Sequence, residues 1–92
     1  MSTLLIAYDL NRPTQNYTDL IEAIKALGAW WHHLDSTWLV ATSLTPAQAR
    51  QRLYALMDNK DELLVIDVQG DTWSANGFEE SAYTWLKTHV AA

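Results

Sequence analysis

The chain has no cysteine. That excludes a disulfide framework and any thiolate metal site, and it fits a reducing compartment. Glycine and proline are scarce, at three and two residues. No glycine-rich phosphate loop, Ser/His/Asp signature or His/Cys metal spacing is present. Positive charge is also short. Six basic residues face eleven acidic ones, for a formal net charge of -5. Phosphate contacts supply most of the affinity of nucleic-acid binders, so these usually carry a basic patch. Here Arg12, Lys25, Arg50, Arg52, Lys60 and Lys87 are spread thinly, and only Arg50 and Arg52 are close in sequence. The balance argues against strong non-specific nucleic-acid binding and leaves room for one local contact. No apolar run reaches the roughly 18 residues of a membrane span, and Met1-Ser2-Thr3 carries no basic n-region. A cytoplasmic protein with no membrane partner is expected.

What is present is a core. Hydrophobic residues are 49% of 92, enough for one small domain. The chain has no repeat or linker, so residues 1–92 read as a single unit with a core over 3–69 and an extension over 70–92.

The first strand, Thr3 to Asp9, is apolar at both parities. A polar loop over Leu10 to Asn16 follows. Tyr17, Leu20, Ile21, Ile24 and Leu27 then fall on one helical face, with Asn16 as candidate N-cap and Gly28 as candidate C′ residue. Ala29 to Thr42 is rich in aromatic and β-branched residues and splits at Asp35-Ser36 into a hairpin. Thr45-Pro46-Ala47-Gln48 carries a capping box with proline in the first turn. The helix it opens runs to about Met57 and buries Ala49, Leu53, Leu56 and Met57. A turn at Asp58-Asn59-Lys60 leads into a fourth strand, Glu62 to Gln69. A looser stretch from Gly70 to Gly77 precedes a last helix, Phe78 to His89, with Phe78, Ala82, Trp85 and Leu86 on its apolar face.

The order β-α-β-β-α-β plus a helix predicts an α+β, ferredoxin-like βαββαβ domain. Its four-stranded antiparallel sheet has two helices on one face and its first strand in the interior. Leu4, Ile6 and Tyr8 point to one face of that sheet, Leu5 and Ala7 to the other. Leu63 and Val65 likewise oppose Leu64, Ile66 and Val68. Two apolar faces need two covers. The second cover is the C-terminal helix, a second subunit or both, and a homodimer or higher symmetric oligomer is expected.

Asp9 is the first candidate functional residue. A carboxylate at the end of an apolar strand is costly to keep without a partner such as a metal, a hydrogen-bond donor or a second subunit. Two such carboxylates related by a dimer axis could share one magnesium or manganese ion and orient a water toward a phosphate. The plainer alternative is an aspartate that caps the following turn. Asn11 and Arg12 precede a helix and are candidate phosphate contacts. In the hairpin, Trp30 and His32 point one way while Trp31 and His33 point the other, so the two histidines do not chelate one metal. His33 is a candidate acid or base near Asp9.

These pieces together resemble a known group. An apolar first strand ending in Tyr8-Asp9, a hairpin containing Asp35-Ser36-Thr37-Trp38, a Leu44-Thr45-Pro46 helix start and a Val65-Ile66-Asp67-Val68 final strand look like the small CRISPR-associated adaptation protein and its VapD-type relatives. The Tyr8-Asp9-Leu10-Asn11-Arg12-Pro13 stretch resembles the SinR-like small proteins most. The resemblance covers about residues 3 to 69. It implies a divalent-metal role in phosphodiester cleavage for Asp9, contributed by both subunits of a dimer, with Tyr8, Ser36 and Trp38 shaping the same region. The basic cluster frequent in that group near the first helix is missing, since the segment here reads Tyr17-Thr18-Asp19-Leu20-Ile21-Glu22. Two expectations follow. One is a non-catalytic assembly or interaction module that keeps the fold. The other is a metal-dependent endoribonuclease or phosphodiesterase using Asp9.

Overall fold

The strand that is apolar on both faces takes the interior of the sheet. In the computed structural model this is β1 (Ser2–Asp9), flanked on both sides by antiparallel neighbours. The structure describes residues 1–11 and 17–92. The further elements are α1 (Thr18–Lys25), β2 (Ala29–Leu34), β3 (Thr37–Thr42), α2 (Pro46–Tyr54), β4 (Glu62–Asp67) and α3 (Glu80–His89). The strand order β2-β3-β1-β4 gives the ferredoxin-like βαββαβ sheet with an added C-terminal helix, as the element order predicts.

Local chemistry sets most boundaries. The Thr45 hydroxyl accepts from the Gln48 backbone N–H at 3.2 Å, and the Gln48 side chain accepts from Thr45 N–H at 2.9 Å. Together they satisfy two otherwise unpaired donors at the start of α2. That helix ends at Tyr54, short of Met57. Its last turn tightens, with Leu56 N–H donating to the Leu53 carbonyl and Met57 N–H to that of Tyr54. The tightening turns Leu56 out of the core, and it is 41% exposed rather than buried. β4 also stops early. The Asp67 carboxylate accepts from Gln69 N–H at 2.9 Å and bends the chain out of the strand.

Gly28 is not a helix cap. α1 is capped at its C-terminus by Ala26 in right-handed backbone, and the left-handed glycines are Gly70 and Gly77. Gly28 instead passes close to β3. A Cβ there would lie 2.0 Å from the Ala41 carbonyl oxygen. Close approach of two backbones is what requires glycine. Tyr17 stands at the start of α1 without a side-chain cap. The expected cap, Asn16, lies outside the described residues.

Two cores form, one per sheet face. On the first, Ile6, Trp38 and Val40 of the sheet pack against Leu20 and Ile24 of α1 and Leu53 of α2. On the second, Trp31 and Leu39 pack against Ala82, Leu86 and Val90 of the C-terminal segment, with Leu5, Val68 and Trp73 alongside. The C-terminal segment is tied down by polar contacts as well. Trp31 Nε1–H donates to the Ala82 carbonyl at 3.2 Å, Trp73 Nε1–H to Ala91 at 2.8 Å, and Gly70 N–H to Val90 at 2.8 Å. The buried Thr3 hydroxyl donates to the His89 carbonyl.

Candidate functional site

Asp9 is exposed at the carboxyl end of β1, directly opposite Glu62 of β4. Directly opposite residues in a ladder point to the same face, so two carboxylates share one end of the sheet. With Ala7, Tyr8, Leu63 and Leu64 they line an open depression of about 390 Å³. None of these residues is basic. Among the described residues the Asp9 carboxylate makes no hydrogen bond or ion pair. No group of three or more His, Cys, Asp or Glu side chains gathers there either, among the described residues. Two like charges opposite each other across a ladder repel.

The other predicted residues sort onto different surfaces. Tyr8 lies on the face away from Asp9. Its hydroxyl accepts from Trp38 Nε1–H at 3.0 Å, and its backbone N–H donates to the Ser36 carbonyl at 3.1 Å. Trp38 is buried, and His32 stacks on it with ring centroids 3.6 Å apart. Tyr8, Ser36 and Trp38 are therefore brought together, as a sheet-end packing unit. His33 does share the sheet face of Asp9, where it packs on Trp31 and Phe78. But β3 stands between β2 and β1, so two strand spacings of about 4.8 Å each separate the backbones. Nothing in the fold brings His33 to Asp9.

Asn11 is engaged in structure. Its backbone N–H donates to Asp61 Oδ1 at 2.8 Å, and its Nδ2 donates to the Lys60 carbonyl at 2.6 Å. Those two donors are already taken up by Asp61 and Lys60. Arg12 lies outside the described residues.

The residue that sequence reasoning missed is Asp61. It is a charged residue only 4% exposed. Besides Asn11 N–H, it accepts from the Asp58 N–H at 2.8 Å and from the Tyr17 hydroxyl at 2.8 and 3.1 Å. An ionised carboxylate is an acceptor-only group, and here donors from three segments converge on it. Asp61 thus pins the loop after β1 and the start of α1 to the turn before β4. The signal available in sequence was an acid at the end of a turn, just ahead of an apolar strand. The donors that bury it are 50 and 44 residues away.

Comparison with protein families, curated proteins and solved structures finds no match for this chain. Among the described residues, no helix is long and apolar enough to cross a membrane.

Proposed function

We propose that this chain is a non-catalytic assembly module. It is a small self-associating protein that keeps a ferredoxin-like fold of the CRISPR-adaptation and SinR-like kind and acts by contact rather than by chemistry at Asp9. The observation that carries this reading is the uncovered part of the second sheet face. α3 and its flanking segments pack over Trp31, Leu39 and Leu5, while Leu64 and Ile66 of β4 stay 55% and 44% exposed. Apolar side chains left open beside a sheet edge mark an interaction surface, and symmetric association is the commonest way to cover one. The surroundings of Asp9 support the same reading. The carboxylate faces a second carboxylate, and among the described residues no basic side chain lines the depression to receive a phosphate.

One observation favours the alternative, an endoribonuclease or phosphodiesterase. Asp9 and Glu62 are exposed and adjacent with no partner among the described residues, and a divalent cation would relieve their repulsion. A second copy would have to complete the ligand set. The test uses labelled RNA and DNA with magnesium, with manganese and with chelator. The module reading predicts no metal-dependent product, and no difference between wild type and Asp9→Asn. Cleavage that requires the metal and is abolished by Asp9→Asn, with the oligomer intact, contradicts it.

A further inference from the structure

We infer that two copies of this chain join edge to edge through β4, in one register centred on Val65, with Arg50 of each copy paired to Asp67 of the other. The inference rests on the self-association reading and specifies its interface.

The backbone orientation of β4 follows from its ladder. Val68 N–H donates to the Thr3 carbonyl, and Thr3 and Val68 are directly opposite. Hydrogen-bonded pairs alternate along an antiparallel ladder. Glu62, Leu64 and Ile66 therefore turn their backbone groups toward β1. Leu63, Val65 and Asp67 turn theirs outward, to the free edge. The usual guards of an edge are missing from β4. It has no proline or lysine, and its register with β1 runs without a bulge. The other edge strand, β2, carries a bulge between Trp31 and Leu34, and Lys25 lies over its Trp30 ring.

Outward groups meet outward groups when a two-fold axis passes at any residue from Leu63 to Asp67, through a hydrogen-bonded pair at Leu63, Val65 or Asp67 and through a non-hydrogen-bonded pair at Leu64 or Ile66. An axis at Asp67 sets two carboxylates against each other. An axis at Leu63 pairs Val65 with Asp61 of the second copy, and that residue is buried in its own hydrogen bonds. An axis at Leu64 sets Ile66 beside the Glu62 carboxylate and Asp67 opposite Asp61. An axis at Ile66 joins only the last three residues of β4 and sets Leu64 beside Val68, beyond the end of the strand. An axis at Val65 avoids all four. It pairs Val65 with its own copy and Leu63 with Asp67, and on the second sheet face it sets Leu64 beside Ile66. The two exposed apolar side chains of β4 in each copy then cover those of the other.

Charge supports the same register. Directly opposite residues point to the same face, so the second copy's Asp67 carboxylate emerges beside Leu63 on the side of α2. Arg50 of α2 lines both grooves next to Leu63, one with Pro46, Ala47, Leu64 and Val65 and one with Tyr54 and Glu62. Arg50 is exposed and has no ion pair among the described residues. The axis makes this pairing twice. It also sends the two Asp9 residues to opposite ends of the joined ladder, so this interface does not build an ion site shared between them.

Sedimentation of wild type, Arg50→Asp, Asp67→Arg and the double variant tests the interface, with circular dichroism confirming that each folds. Both positions are exposed, so the fold is expected to survive. Wild type is expected to dimerise, and each single change to weaken the dimer by about tenfold or more through like-charge contact. The double exchange is expected to recover most of the affinity. A wild-type dimer that is indifferent to all three variants overturns this interface and leaves self-association through another surface. A wild type that is monomeric at every concentration overturns self-association itself and leaves the edge to a foreign strand.

Discussion

Two aspartates at the same end of the sheet have opposite roles, and the difference comes from where their partners are. Asp9 is exposed, faces Glu62 and makes no contact with a donor among the described residues. Asp61 is buried and accepts from Asn11, Asp58 and Tyr17. Removing the Asp61 carboxylate takes away three part-buried, charge-assisted hydrogen bonds that join separate segments, each worth on the order of 1 kcal/mol or more. Asp61→Ala is therefore expected to lose about 3 kcal/mol in urea denaturation. Asp9→Asn is expected to stay within about 0.5 kcal/mol of wild type. An Asp61→Ala change as mild as Asp9→Asn would show that the buried carboxylate holds nothing together. Asp9 was legible in sequence, because an acid ending an apolar run stands out locally. Asp61 was not, because its burial is made by residues far away along the chain.

At the scale of elements, what could be read early is what neighbouring residues decide among themselves. The split at Asp35-Ser36 and the capping box at Thr45 and Gln48 are of this kind, and both are present. Thr45→Ala removes the cap of α2 and is expected to cost about 1 kcal/mol, read as a lower urea midpoint. Boundaries decided by later packing were not legible. Leu56 has helical spacing with Leu53, yet the tightened last turn of α2 puts it outside. Gly28 looks like a helix stop by position, but its cause is the carbonyl of Ala41 on another strand. Leu64 and Ile66 are as apolar as Leu5. The path of α3 half-buries Leu5 against the second core and leaves the other two open.

For the whole molecule, the C-terminal segment is the deciding feature. A four-stranded sheet that is apolar on both faces would need a large partner surface. Here α3 supplies much of the second cover from within the chain, and what is left open lies at the sheet's edges, Leu64 and Ile66 together on β4 and Leu34 alone on β2. That geometry suits a strand-to-strand contact better than two sheets packed face to face. Hydrogen exchange at the backbone amides of β4 tests this most directly. The N–H groups of Leu63 and Val65 point to the free edge and have no ladder partner among the described residues of one chain. Self-pairing predicts that they exchange slowly at high protein concentration and rapidly on dilution, while Leu64 and Ile66, bonded to β1, stay protected throughout. Rapid exchange of Leu63 and Val65 at every concentration would contradict pairing of β4 with its own copy.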